Sequence, residues 1–279
     1  MFILFRHNYI DGNCFKRKKQ LKNISKSEIG TVRTDGSLPF YITEIPIVRG
    51  SVLWKGIDGK CGKLASRVVA SREISIPDGL PIKRYASTLL MPEIIFNTAL
   101  EALKTSRLKP DSFSLTLTDR KGVVASKVCE LLPFCSEIRV VTGSPEKYAQ
   151  PVADALSNSG AVLIIRDCHR VCAKPEIVIC TDGAVAPSMN GCAVFAHRKY
   201  AGGKLMLTGR EITLCEKHRE IVPDYISPMD FAGALTELCA STDYDNAVFS
   251  DTEINSSACR AEEFARALFS FVYDNSNNT

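Results

Sequence analysis

Between Phe113 and His197, apolar runs alternate with polar, helix-forming segments. Five of these runs have the length of a strand, and they lie at 113–118, 137–142, 161–166, 176–181 and 192–197. Nearly continuous apolar runs are typical of parallel strands that are covered on both faces. The pattern therefore predicts an α/β fold with a mostly parallel sheet flanked by helices. Such a sheet binds its ligands at the carboxyl ends of its strands.

Helical periodicity predicts further elements on both sides of this region. An apolar stripe indicates a helix over 92–108, and a capping residue at Ser227 indicates the start of another. A last amphipathic helix is expected over about 257–273. The segment around Thr208-Gly209 is expected to be a hairpin turn, because it lies between two short apolar runs.

Charge divides the chain near Pro110. Residues 1–110 hold 19 of the 35 Lys and Arg but only 9 of the 31 Asp and Glu, so this part is basic and the remainder is acidic. The length suits about two domains. We expect a β-rich N-terminal module over 1–90, an α/β domain over 91–215, and C-terminal helices over 216–279 that pack back on the chain and end in a frayed tail.

Composition favours a cytoplasmic protein. The eleven cysteines are scattered through strand and helix patterns, as is typical of free thiols in a reducing compartment. No secretory signal is visible, and no apolar run approaches the roughly 20 residues that cross a bilayer, so no membrane contact is predicted. The basic run at 16–19 is short and has no aromatic residues interleaved with its charges, which disfavours a nucleic-acid partner. The sequence is also compatible with a homo-oligomer.

The turn after the first strand of the α/β region is the candidate ligand site. Dinucleotide-binding folds place G-x-G-x-x-G or G-x-G-x-x-A there, and the turn and the following helix hold a pyrophosphate. Residues 120–125 read RKGVVA. Gly122 and Ala125 match the last two positions of the motif, whereas Arg120 replaces its first glycine.

Charges beside this turn have opposing effects on a phosphate. Arg120 and Lys121 would attract it, and Asp119 would oppose it. The alternative interpretation is that Gly122 only forms the strand-to-helix turn and that the charged side chains are solvated.

The end of the second strand bears on the kind of cofactor. An Asp or Glu at this place usually binds the free ribose of NAD. This chain has Thr142-Gly143-Ser144 there, with no acid before Glu146. Small hydroxyls would tolerate a 2′-phosphate better than an acid would, so NADP is slightly favoured over NAD.

A second cluster, of cysteine and histidine, follows the third strand. Cys168, His169 and Cys172 could contribute to a zinc site, but a full structural site needs four ligands. Cys192 and His197 are the distant partners that the chain offers. The preferred interpretation is that the two cysteines of the cluster pack in the connection after the strand, so no metal ligand is predicted.

The α/β region resembles the NAD(P)-binding domain shared by shikimate dehydrogenase-like and amino-acid dehydrogenase-like enzymes. The resemblance covers roughly residues 110–200 and is carried by EIRVVTGSPEKYAQPVADAL, GAVLIIRD and PEIVICTDGAV. It implies a Rossmann-like fold and a NADP or NAD cofactor. By position it places Gly122 and Ala125 at the pyrophosphate, Thr142 and Ser144 at the adenosine ribose, and Thr181 and Asp182 near the nicotinamide.

Two functions are compatible with these observations. The first is a degenerate Rossmann-like nucleotide-binding protein of unproven catalysis, acting as a sensor or an assembly subunit. The alternative is an NAD(P)-dependent oxidoreductase of a small metabolite. The missing first glycine favours the former, and so does the lack of a Lys–Asp pair that matches the catalytic pair of the resembled families. A dinucleotide or another small molecule is the expected ligand, and no catalytic residue is identified.

Overall fold

The chain divides into two compact units. In this computed structural model the described residues are 1–9, 40–48, 51–52, 54, 57–170, 172, 174–182, 189, 191–197 and 203–276. The first unit comprises Met1–Thr88 and Leu214–Tyr244, and the second comprises Leu89–Thr213 and Asp245–Thr279. The expected C-terminal block 216–279 is thus shared between the two units.

The described residues form twelve strands and six α-helices. The strands are β1 (Phe2–Tyr9), β2 (Phe40–Val48), β3 (Ser51–Val52), β4 (Val68–Val69), β5 (Ser114–Thr118), β6 (Glu137–Val141), β7 (Val162–Arg166), β8 (Glu176–Cys180), β9 (Ala193–Ala196), β10 (Leu205–Gly209), β11 (Thr252–Ile254) and β12 (Ser257–Cys259). The α-helices are α1 (Ile57–Cys61), α2 (Leu90–Ser106), α3 (Ala149–Ser159), α4 (Glu216–Arg219), α5 (Pro228–Cys239) and α6 (Ala261–Ser276). Short 3-10 helices lie at Gly62–Leu64, Ala125–Leu131 and Pro145–Tyr148.

The first unit contains a four-stranded sheet in the order β3-β2-β1-β4. Strand β1 is parallel to both β2 and β4, whereas β3 is antiparallel to β2. The apolar run from Phe2 to Phe5 is fully buried in β1, so the N-terminal residues form part of the core of this unit. Helix α5 packs against β1 and β4, and its first turn is capped by the Ser227 side chain, which accepts a hydrogen bond from Asp230 N. The helix start predicted at Ser227 is therefore confirmed.

The second unit contains an eight-stranded sheet in the order β12-β11-β10-β9-β8-β5-β6-β7. The six strands from β5 to β10 are parallel to one another, whereas β11 pairs antiparallel with β10 and β12 antiparallel with β11. Every residue of β8, β9 and β10 is buried, as expected of strands covered on both faces. The predicted α/β fold with a mostly parallel, helix-flanked sheet is confirmed, and each of the five predicted strands is present.

The predicted hairpin around Thr208-Gly209 is wrong. Strand β10 ends at Gly209 and pairs in parallel with β9 on one side and antiparallel with β11 on the other. Gly209 occupies this place because the Phe249 ring lies where a Cβ atom would project. A glycine that permits close packing therefore has the same appearance in the sequence as a glycine that turns the chain.

Helices α2 and α6 pack against each other, and they also contact the sheet, α2 at β8 and β9 and α6 at β10. The predicted start of the last helix near 257 is wrong, because that segment is strand β12. Asn255 and Ser256 both have positive φ, and they form the tight turn between β11 and β12.

None of the helices in the described ranges combines the length and apolar character that crossing a bilayer requires.

Candidate functional site

The candidate site lies at the carboxyl ends of β5 and β8, which are neighbours in the sheet. From β5 the chain proceeds outward to β6 and β7 on one side, and it then returns to β8 on the other side. Polar residues follow both strands, with Asp119 after β5 and Thr181-Asp182 after β8. A ligand crevice is expected where the strand order reverses in this way.

Asp119 is the central residue of the turn that follows β5, and it is only 1% exposed. Its Oδ1 accepts a hydrogen bond from Val123 N (3.0 Å), and its Oδ2 accepts one from Val124 N (2.9 Å). The buried Tyr148 hydroxyl donates a third bond to Oδ2 at 2.8 Å. Burial, and then the negative charge of Asp119, raise the pKa of Tyr148 far above its ordinary value, so this hydroxyl stays a donor.

Gly122 allows the turn to close over Asp119. Its φ is +60°, and its amide donates to the Asp119 carbonyl at 3.1 Å. A Cβ atom on Gly122 would lie 2.6 Å from Cδ of Lys147, whose Nζ donates to the Lys121 carbonyl at 2.7 Å. Glycine is therefore required both by the left-handed backbone and by the side chain that covers it.

Asp182 binds the start of the turn, at Arg120. Its Oδ2 accepts a hydrogen bond from Arg120 N at 3.2 Å, and its Oδ1 lies 3.4 Å from the donating Thr118 hydroxyl. The Thr181 hydroxyl donates to the Thr118 carbonyl at 2.9 Å. The ends of β5 and β8 are thus joined to each other by side chains as well as by the sheet.

The end of β6 is joined to the same turn. The Thr142 hydroxyl donates to the Asp119 carbonyl (2.7 Å) and accepts from Ser144 N (3.1 Å). The Ser144 hydroxyl donates to the Arg120 carbonyl at 3.3 Å, and it makes no cap bond to the helix that follows. These two hydroxyls stabilise the turn from the side on which the sequence analysis places a ribose.

The predicted site residues therefore lie around one turn. Gly122, Arg120, Lys121, Thr142 and Ser144 surround it, Ala125 is buried at the start of the 3-10 helix, and Thr181 and Asp182 border it from β8. The amides of residues 120, 122, 123 and 124, however, all donate to Asp119 or Asp182. The turn already contains a carboxylate where a dinucleotide would place a phosphate.

Sequence reasoning missed the structural role of Asp119, which it weighed only as a charge that opposes phosphate. Aspartate is a preferred capping residue because its carboxylate accepts bonds from amides that lack helical partners. Asp119 precedes Gly122 by three residues and the 3-10 helix by six. That pattern could have indicated an internal anion at the turn.

A second polar cluster lies at the opposite, amino-terminal ends of the strands. It contains His169 from the connection after β7, Glu176 at the start of β8 and Cys192 just before β9. His169 Nε2 lies 3.1 Å from Glu176 Oε1, and the two side chains are only 1% and 3% exposed. Cys192 Sγ donates to Glu176 Oε2 at 3.5 Å, and the Thr116 hydroxyl donates to Oε1 at 2.6 Å.

The pKa values of Glu176 and Cys192 are shifted in opposite directions. Burial would raise the pKa of Glu176, but hydrogen bonds from His169 and Thr116 outweigh that effect, so its pKa is lowered. Burial and the adjacent carboxylate raise the pKa of Cys192 to about 12. The cluster therefore holds a carboxylate and a neutral thiol at neutral pH.

The cysteine and histidine residues that the sequence grouped together lie in different surroundings. Cys168 is exposed, and the sulfur of Cys172 contacts the Arg139 guanidinium. His197 Nδ1 lies 3.4 Å from the Gly209 carbonyl oxygen. His169 does meet Cys192, which the sequence analysis named as a distant partner, and Glu176 is the member that it missed.

Two adjoining cavities belong to the first unit. One has a volume of about 550 Å³ and is lined by residues that include His7, Tyr9, Trp54 and Glu73. The other has a volume of about 600 Å³ and is lined by residues between Arg72 and Arg84. The basic run at 16–19 lies outside the described residues.

Comparison with known proteins gives no assignment. No protein-family model matches the chain, and no curated protein matches it. The resemblance to NAD(P)-binding domains therefore stays a prediction, and function is inferred from the geometry of the site.

Proposed function

We propose that the second unit is a Rossmann-like nucleotide-binding domain that serves as a sensor or an assembly subunit. One observation carries this proposal, namely the order of the parallel strands. Counted along the chain from β5, the six parallel strands have the spatial order 3-2-1-4-5-6. This order is shared by dinucleotide-binding domains, which bind their ligand where the order reverses. In this chain the reversal lies between β5 and β8.

The mode of phosphate binding must differ from that of a glycine-rich turn. Asp119 and Asp182 already accept bonds from the turn amides, so few backbone donors are left for a phosphate. The side chains of Arg120 and Lys121 are exposed at the same turn. We infer that these two cations meet the phosphate of the nucleotide while the carboxylates hold the turn in shape.

An NAD(P)-dependent oxidoreductase is the second candidate, and the same strand order favours it. Among the described residues at the strand ends, Thr118, Thr181 and Asp182 bond to one another and to the turn. These bonds hold the strand ends to the turn, so we assign the three groups a structural role. Binding without redox catalysis is therefore the preferred function.

Thermal unfolding with and without ligand tests nucleotide binding directly. The full chain is melted with millimolar NADP⁺, NADPH, NAD⁺ and ADP. A nucleotide at a hundredfold excess over its Kd stabilises the folded state by about 2.7 kcal/mol and raises the melting temperature. The double variant Arg120→Gln/Lys121→Gln should keep the melting temperature of the unliganded protein but lose most of this shift.

A matched control separates site binding from general charge attraction. Lys104 and Lys109 are exposed basic residues of the same unit, so Lys104→Gln/Lys109→Gln removes the same charge away from the turn. This control should keep the full nucleotide shift. No shift with any of the four nucleotides, or an equal shift in both double variants, would overturn the proposed function. Nucleotide-dependent oxidation of a small alcohol or amine would favour the oxidoreductase instead.

A further inference from the structure

We propose that His169, Glu176 and Cys192 form a zinc site at the amino-terminal edge of the second unit's sheet. The three side chains each offer a donor that zinc prefers, namely an imidazole nitrogen, a carboxylate oxygen and a sulfur. All three donor atoms lie within 4.8 Å of one another. The site lies at the opposite ends of the strands from the candidate nucleotide crevice, and it is independent of the proposed function.

The distances suit a tetrahedral ion. With typical zinc bond lengths, donors at tetrahedral positions are separated by about 3.4 Å for nitrogen and oxygen and about 3.6 Å for sulfur and oxygen. The corresponding separations are 3.1 Å between His169 Nε2 and Glu176 Oε1, and 3.5 Å between Cys192 Sγ and Glu176 Oε2. Because these two distances run to different oxygens of the carboxylate, and the three donor atoms lie within 4.8 Å of one another, a rotation of the carboxylate and a closer approach of the ligands would admit the ion.

The charges also suit a divalent cation. Zinc would replace the thiol proton of Cys192, which leaves to solvent. The Nε2 proton that His169 donates to Glu176 would also be displaced, by exchange with solvent that leaves the neutral ring protonated at Nδ1. The ligands then become a thiolate, a carboxylate and a neutral imidazole. Their two negative charges neutralise Zn²⁺ in a place where an unbalanced charge would be costly. Water takes the fourth position, as in other zinc sites with three protein ligands.

The surrounding chain holds the ligands in place. Thr116 donates to Glu176 Oε1 at 2.6 Å and would orient the carboxylate toward the ion. The Cys192 carbonyl accepts bonds from the amides of Lys204 and Leu205, at the start of β10. A metal here would connect the β7–β8 connection to the start of β9, and its binding would stabilise the folded state by mass action.

Cobalt provides a direct probe, because Co²⁺ occupies zinc sites and reports its ligands by absorption. The full-length protein is stripped with a chelator and titrated with Co²⁺. We expect one equivalent to bind, with the thiolate-to-cobalt charge-transfer band in the near ultraviolet and the intense visible bands of four-coordinate Co²⁺. One equivalent of Zn²⁺ should displace it. Absence of the thiolate band in the wild-type protein overturns the proposal without any variant.

Variants identify the ligands. Cys192→Ser should abolish the charge-transfer band and weaken Co²⁺ binding at least about 100-fold, and Thr116→Val should weaken it about 10- to 100-fold with the band retained. Cys168→Ser, beside His169 but exposed, is the matched control and should bind as the wild type does. A band that survives Cys192→Ser, or disappears in Cys168→Ser, would place the metal on other cysteines and refute the site.

Discussion

The two edges of the large sheet each contain a buried carboxylate, but the two are stabilised in different ways. At the carboxyl edge, where the parallel strands end, the Asp119 carboxylate accepts hydrogen bonds from two backbone amides and one phenolic hydroxyl. At the amino edge, the described residues that bond to the Glu176 carboxylate do so through side chains, those of Thr116, His169 and Cys192.

This difference determines what each edge can bind. Backbone amides of the turn donate to the Asp119 carboxylate, so the carboxylate occupies a place that would suit an anion. Glu176 and its two neighbours His169 and Cys192 offer donor atoms within 4.8 Å of one another, and the Cys192 proton can leave when a cation binds. One edge is therefore closed to a phosphate at its amides, and the other is arranged to accept a metal.

Removal of the Asp119 carboxylate should have the largest effect. Asp119→Ala leaves two amides and the Tyr148 hydroxyl without their acceptor in a buried place, and we expect a loss of about 4 kcal/mol in unfolding free energy. Asp119→Asn keeps one acceptor oxygen and should lose about half as much. Urea unfolding measures both. A loss below about 1 kcal/mol for Asp119→Ala would show that the turn does not depend on its internal carboxylate.

Substitution of Gly122 should have the second largest effect on the free energy of unfolding. Gly122→Ala places a Cβ against Lys147 at a backbone φ of +60°, and we expect a loss of about 1–2 kcal/mol from the strained backbone. Adding Lys147→Ala should recover the part that is due to the clash. Gly160 also has positive φ, but no atom lies within 4 Å of its Cβ position. Gly160→Ala therefore reports the backbone cost alone, and an equal loss at both glycines would argue against the covering role of Lys147.

A smaller, metal-dependent effect is expected at the amino edge. Glu176→Gln keeps the size of the side chain and one acceptor oxygen, so the chelator-treated protein should lose about 1 kcal/mol. Equimolar zinc should raise the melting temperature of the wild type and of Asp119→Asn equally, and leave that of Glu176→Gln unchanged. If zinc stabilised Glu176→Gln as well, the contrast between the two edges would fail.

Mild acid should act on the first unit, through His218, and give the smallest effect. Its buried ring lies 2.8 Å from the Tyr244 hydroxyl, and burial lowers the pKa of the ring although Asp243 partly opposes this. The pKa of His218 is lower in the folded chain than in the unfolded chain, so the unfolded chain binds the proton first when the pH falls. The free energy of unfolding is therefore unaffected by His218 above about pH 6.5, and it decreases as pH falls from there through the pKa of the folded chain. Melting temperatures between about pH 7.5 and pH 5.5 should fall in the wild type and vary less in His218→Gln.

Most of the second unit could be predicted from the sequence because its strands are continuous apolar runs. Local pattern failed where one residue type serves two purposes, as at Gly209, which admits Phe249 instead of turning the chain. The Asp119 turn is local and was within reach of capping rules. The cluster of His169, Glu176 and Cys192 was only partly within reach. Cys192 could be named as a distant partner of His169, but Glu176 could not, because the pairing of β8 with β9 and the path of the connection after β7 bring it to them.

Backbone amide NMR during a titration with NADP⁺ tests whether Asp119 keeps the turn amides while Arg120 and Lys121 meet the phosphate. This division of roles predicts that the amide signals of Arg120 and Lys121 shift with saturation, while those of Val123 and Val124 stay in place because Asp119 keeps their hydrogen bonds. It would be contradicted if Val123 and Val124 shifted most, which would mean that the phosphate displaces Asp119. It would equally be contradicted if no amide near the turn responded at millimolar ligand.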